Sequence, residues 1–271
     1  MMDENQPLDV VEVRITIAAR PETVFAYFRE PAAFERWMGS GSSIVASPGG
    51  QVRVAYPTGD FAVGMIQEIV PDQRIVMTWG YERGPSELPP GSTRVEITLT
   101  PVEGGTRVVL RHSGLRAAEA RRNHRAGWRY YLASLSHLAS SALDAVVDRA
   151  LDAYVEAWGA VDAAQRRRLL EQCCDPKGVF RDAMGYVEGL DDLVDYIGTA
   201  QRFSPGVKLV RNGPAARSHG FVSHGWRMTQ PDGAIVMTGT NTVEFTGDGR
   251  IRSVTGFWDP PPPPPPASSA Q

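Results

Sequence analysis

Residues 11–17, VEVRITI, alternate Val11, Val13, Ile15 and Ile17 with Glu12, Arg14 and Thr16, the period-two pattern of a half-buried strand. Pro21 then opens a helix carrying Val24, Phe25 and Phe28; Pro31 breaks it, and a second short helix ends near Trp37 and Gly39. The runs QVRVAY, FAVGMIQEIV, RIVMTWGY, TRVEITLTPV and GTRVVLRHS follow, separated by the turn signals PTGD, VPDQ and VEGG. After a turn at Gly114 the period changes. Trp128, Tyr131, Leu132, Leu135, Leu138 and Ala139 fall on one face of a long helix. An antiparallel sheet of this size presents an apolar face, and the long helix supplies the stripe to cover it. Gly127, beside Trp128, fits two arrangements: a hollow in which Trp128 and Tyr131 are walls, or a solid core with something packed close against the helix.

Ser141 and Asp144 have the S-x-x-D spacing of a capping box, so a new helix is expected to start directly after the long one. Its face is Val147, Ala150, Leu151, Tyr154, Val155 and Trp158. DAAQRRRLLEQCC predicts a second helix, GVFRDAMGYVEG a short strand and turn, and GLDDLVDYIGTAQRF a third helix starting after Gly189. GVKLVRN, SHGFVSHGWRMTQ, AIVMTGTNTVEFT and RIRSVTGFWD predict strands joined by PDG and GDG turns. The pattern divides the chain into domains at 1–140 and 141–260. The prolines at the end put an extended, disordered tail at 261–271. The fold class expected is α+β, with an antiparallel sheet on helices in each half.

At 271 residues, with 42% hydrophobic and 22% charged residues, the chain is ordinary globular material for two domains. A formal charge of -3 gives no field for nucleic acid. There is no leader-like N-terminus and no apolar run of about 18 residues, so a cytoplasmic location and no membrane partner are expected. A homodimer is left open. Adjacent Cys173 and Cys174 would close almost no loop, so no staple is expected. Phosphate-loop, dinucleotide, zincin and hydrolase-elbow motifs are absent from the sequence. His112, His124 and His137 lack ligand spacing, and His219 and His224, five apart on one expected strand, would point to opposite faces. No metal and no cofactor are expected.

ARPETVFAYFREPAAFERWMG, EIVPDQRIVMTWGY and RHSGLRAAEARRNHRAGWRYYLASLSHL resemble the START-related helix-grip (SRPBCC) superfamily, in the branch of homologues of the activator of a heat-shock chaperone ATPase. That resemblance covers 9–140 and implies a sheet gripping the long helix around a cavity for apolar small molecules. Chaperone activation does not transfer with it. AYVEAWGAVDAAQRRRLLEQCCDPKGVFRDAMGYVEGLDDLVDYI and TGTNTVEFTGDGRIRSVTGFWDP resemble the nuclear-transport-factor-like superfamily, which includes ketosteroid isomerases and SnoaL-like polyketide cyclases. That resemblance implies a cone-shaped curved antiparallel sheet with three helices over about 142–260. It also implies a site with a first-helix tyrosine at Tyr154, a turn aspartate at Asp182 and a late-strand residue at Asn241.

A carboxylate in an apolar cone can take a proton from a carbon acid, and two neutral donors can hold the enolate oxygen. Asn241 departs from the isomerase pattern, where an acid stands, so steroid isomerisation itself is in doubt. Tyr154 also continues the apolar stripe of its helix, and Asp182 is a common type of turn residue, so a binding fold without turnover stays open beside isomerisation or cyclisation of a small hydrophobic compound. The expected ligand-binding residues are Trp79, Trp128 and Tyr131 in the first half, and Trp158, Phe180, His224, Trp226 and Phe257 in the second.

Overall fold

The computed structural model describes residues 9–83 and 88–260. The tail expected over 261–271 lies outside the described residues. Two compact units emerge: one runs through Asp144 and also takes in Ser218–Gly220 and Thr246–Asp248, and the other holds the rest from Ala145.

The first unit opens with β1 (Val10–Ile17), followed by α1 (Pro21–Arg29) and α2 (Pro31–Met38). The strands β2 (Ser43–Ile44), β3 (Gln51–Ala55), β4 (Phe61–Val70), β5 (Arg74–Tyr81), β6 (Thr93–Val102) and β7 (Gly105–Ser113) lead to α3 (Ala118–Ser141). They form a seven-stranded sheet in the order β1-β7-β6-β5-β4-β3-β2, antiparallel throughout. In β1 the alternation becomes burial: Val11, Val13 and Ile17 face the core, opposite His112, Leu110 and Thr106 of β7. The buried face of α3 is His124, Trp128, Leu132, Leu135, Ser136, Ala139 and Ser140, with Tyr131 and Leu138 half-covered at its edge. This is the helix-grip arrangement: one long apolar stripe closes one sheet face, and α1 and α2 fill the gap with Phe25, Phe28, Phe34 and Trp37.

The second unit contains α4 (Asp144–Gly159), α5 (Ala163–Cys173), β8 (Cys174–Arg181), β9 (Tyr186–Glu188), α6 (Leu190–Phe203), β10 (Lys208–Ser218), β11 (Phe221–Thr229), β12 (Ile235–Phe245) and β13 (Ile251–Trp258). Its sheet runs β10-β11-β12-β13-β8-β9. The expectation of a purely antiparallel sheet is corrected here. β9, α6 and three further strands separate β8 from β13, which then lies beside it, so β13 and β8 pair in parallel. Val147, Ala150, Leu151, Tyr154, Ala157 and Trp158 are the buried face of α4, with Val155 only half-buried.

Two local expectations also change. Ser141 is the last residue of α3, and its hydroxyl donates to the His137 carbonyl, whereas α4 begins at Asp144; it ends one helix instead of capping the next. His219 is not on a strand with His224. It occupies the tight turn between β10 and β11 with φ 51°, which breaks the spacing used to compare the two rings. Among the described residues no cluster of three His, Cys, Asp or Glu side chains has metal-binding geometry. Cys173 and Cys174 are free thiols, with Sγ atoms 3.7 Å apart.

Candidate functional site

In the second unit the helices lie against the sheet, and a pocket of about 440 Å³ lies within it, with exposed Met184 and Phe203 among its lining. Tyr154 and Trp158 reach it from α4, one turn apart on the buried stripe. Phe180 comes from the end of β8 and Asp182 from the turn that follows; Trp226 comes from β11, Asn241 from β12, and Gly256 and Trp258 from β13. Tyr154, Asp182 and Asn241, far apart in sequence, therefore line one space. Trp158, Phe180 and Trp226 line it with them. Phe257 does not: the period-two alternation of β13 turns Gly256 and Trp258 inward and leaves Phe257 57% exposed on the other face. His224 faces inward opposite Asn241 and is buried, but it is not part of the wall; its Nδ1–H donates to the Gly225 carbonyl at 3.1 Å.

Asp182 is held by three donors on one oxygen. The amides of Met184 and Gly185 reach Oδ1 at 2.8 and 2.9 Å, and the Tyr196 hydroxyl reaches the same atom at 2.9 Å. This leaves Oδ2 as the oxygen not committed to the turn. Tyr196, on α6, lines the same cavity and bonds Asp182, a site neighbour that sequence reasoning missed. Its ring lies against the backbone of Gly185, where a Cβ would fall 2.3 Å from the ring edge, so glycine is what admits it. Gly256 has a similar role. A Cβ there would sit 3.2 Å from both Asn241 Oδ1 and Asp182 Cβ, so the absence of a side chain leaves room for the amide and the carboxylate side by side.

The interior polar atoms of this unit are poorly satisfied. The Tyr154 hydroxyl, the Trp158 and Trp226 indole nitrogens, Gln201 Oε1 and His224 Nε2 are buried without a hydrogen-bond partner. Burial pushes the Tyr154 phenol well above its ordinary pKa; the Trp158 N–H beside it opposes this in part, without reaching hydrogen-bond geometry. Burial likewise lowers the pKa of His224, so its ring is neutral. Desolvation, reinforced by the bond to Asp182, raises Tyr196. The cavity wall contains one carboxylate and no lysine or arginine. Buried Arg166 stands apart from it, bonding the carbonyls of Val194 at 2.9 Å and Ala160 at 2.7 Å and so tying the end of α4 to α6.

The first unit has a smaller space of about 130 Å³, lined by Tyr56, Trp79, Tyr81, Asn123, His124, Gly127, Trp128 and Tyr131. Nothing lies within 4 Å of a Cβ at Gly127, so no strand or loop approaches the helix there. Trp128 is only 3% exposed and belongs to the core. Its indole N–H donates to His112 Nδ1 at 3.0 Å; His112 Nε2–H reaches Thr93 Oγ1 at 2.8 Å, and the threonine donates to the Trp79 carbonyl at 2.8 Å. Tyr81 donates to His124 Nε2 at 3.0 Å, and His124 Nδ1–H donates to the Ala120 carbonyl at 2.7 Å. Burial, and then the neighbouring His124, depress His112 to about 3. The first chain requires a neutral imidazole, because His112 Nδ1 accepts from Trp128.

The family model of the activator of Hsp90 ATPase homolog 1-like protein matches residues 18–140. That stretch is accordingly an AHSA1-like domain of the SRPBCC type. An AHSA1-like protein from Rhizobium etli is similar at 38% identity, over 48% of this chain and 81% of that one, with a TM-score of 0.41. A SnoaL-like family protein from Agrobacterium tumefaciens is similar at 31% identity, over 41% of this chain and 95% of that one, with a TM-score of 0.39. A comparison with curated proteins gives no match.

Proposed function

We propose that the second unit binds a neutral, largely apolar carbonyl compound and moves a proton on it, as an isomerisation or cyclisation requires. The observation that carries this reading is the convergence of Asp182, Tyr154 and Asn241 on one aromatic cavity, with Gly256 making room between two of them. Asp182 Oδ2 takes a proton from the carbon next to the carbonyl, and the resulting enolate oxygen is met by the Tyr154 hydroxyl and the Asn241 amide. The proton is then returned to a different position of the same compound, so the reaction consumes no cofactor. A wall without cationic side chains disfavours anionic ligands. We read residues 141–260 as a nuclear-transport-factor-like domain joined to the AHSA1-like one at 1–140, in a cytoplasmic protein. The two compact units and the free cysteines support that reading.

The test is deuterium exchange into 2-tetralone in D2O, followed by proton NMR with the full chain. The wild type should accelerate exchange, and Asp182→Asn, which keeps the shape and removes the base, should reduce it to the uncatalysed rate. No acceleration by the wild type, or equal acceleration by the variant, defeats the catalytic reading. Binding without turnover is the second reading, favoured by the closed-off position of the Tyr154 hydroxyl, which is buried with no partner.

A further inference from the structure

Gln201 lies on α6, five residues beyond Tyr196, or about 7.5 Å further along the helix axis. It is 9% exposed and forms part of the cavity wall. Its side-chain amide nitrogen donates to two carbonyls, those of Trp158 and of Val207, the latter at 2.8 Å. Both amide hydrogens are thereby used. The orientation is fixed chemically, since a flipped amide would set its oxygen against two carbonyl oxygens. Oε1 is left as a buried acceptor with no partner.

A buried carbonyl without a donor is costly, and none of the wall's own donors, the Thr199 and Ser204 hydroxyls and the Trp158 indole among them, bonds this one. We propose that Gln201 is a specificity-determining residue that accepts a hydrogen bond from a hydroxyl of the ligand. The inference rests on the reading of the cavity as a site for a neutral carbonyl compound, and it narrows that class. The ligand carries a hydroxyl on the part of its frame that lies toward the end of α6, about 7.5 Å along the axis from the level of Tyr196 and its bond to Asp182. Two fused rings span such a distance. Oε1 is covered by its neighbours, so the hydroxyl engages it with a side-chain adjustment in the wall.

The test uses equilibrium binding, which needs no turnover and so separates this inference from the proton-transfer reading. 2-Naphthol and 2-methoxynaphthalene have the same ring frame, and only the first can donate a hydrogen bond. Their affinities are measured by calorimetry on the full-length wild type, Gln201→Met and Asp182→Asn. The wild type should prefer the naphthol by about tenfold. Asp182→Asn should keep that preference and Gln201→Met should lose it. Three outcomes overturn the proposal: no preference in the wild type, a preference that survives in Gln201→Met, and failure of the wild type to bind either probe. Should Gln201→Met not fold, Asp182→Asn decides, because loss of the preference there assigns the hydroxyl to Asp182 and overturns the role of Gln201.

Discussion

The two interiors treat their buried polar groups in opposite ways. Around the small space of the first unit, polar atoms consume one another: Trp128, His112, Thr93 and the Trp79 carbonyl form one chain, and Tyr81, His124 and the Ala120 carbonyl another. Around the larger space of the second, Tyr154, Trp158, Trp226 and Gln201 each keep a buried polar atom without a partner. Closed networks fix a core, whereas unspent donors and acceptors await something from outside. Size points the same way, at about 130 Å³ against about 440 Å³. Two exceptions mark the limit of the contrast: Trp79 Nε1 and Arg74 Nε, in the first unit, are also buried without a hydrogen-bond partner.

The largest effect expected from this contrast is in the first unit. Trp128→Ala removes a core ring and leaves His112 Nδ1 without its donor, so it should destabilise that unit by about 3–5 kcal/mol. Urea unfolding followed by circular dichroism measures it. A loss below about 1 kcal/mol would mean that Trp128 is a cavity wall and not a core residue.

Most of the fold was legible because it rests on local alternation and period. The strands of the AHSA1-like domain appear as runs with inward valines and isoleucines, and α3 as a 3.6-residue stripe. Asp182 was legible only through the resemblance to the nuclear-transport-factor-like superfamily, since an aspartate in a turn after a strand is by itself common. Tyr196 was not, because on α6 it reads as one more aromatic of an apolar face, and its task depends on contact with Gly185, eleven positions earlier. Phe257 reads in the sequence as one of the aromatics of the cone, but the alternation of β13 assigns the inward places to Gly256 and Trp258. Of the two arrangements that Gly127 allows, nothing packs close against the helix there, and Gly127 lines the small space with Trp128 and Tyr131. The parallel pairing of β8 with β13 is a long-range property that no local pattern encodes.

Acid should separate the interiors further. His112 is held near 3 and His124 below its ordinary value, both by burial. The unfolded chain binds these protons near pH 6.5, the folded chain only at lower pH, so between those values the unfolded state carries more protons and stability rises with pH. Folding stability should therefore be fully present above about pH 6.5 and decline as the pH falls toward 3. The lowered pKa of His224 adds a contribution of the same sign in the second unit. Thermal melts of the full chain from pH 7 to 4 give the slope, and His112→Gln should flatten it. A slope unchanged by that replacement would remove His112 from the account.

The smallest expected effect is the most discriminating. Tyr154 is completely buried, and its hydroxyl has no partner in the protein. In a finished core such a group is a defect, and Tyr154→Phe removes the penalty while keeping the ring that packs beside Trp158. Stability should then hold or rise by about 1 kcal/mol, the reverse of what loss of a donor from the His112 chain would do. If the hydroxyl meets an enolate oxygen, the same replacement should slow exchange into 2-tetralone by about 10²–10³, the scale of a lost oxyanion donor. Urea unfolding and the exchange rate, measured on one preparation, thus carry opposite signs. A variant that loses stability while exchange is untouched would place Tyr154 among ordinary core residues, and the contrast between the two interiors would then lose its strongest member.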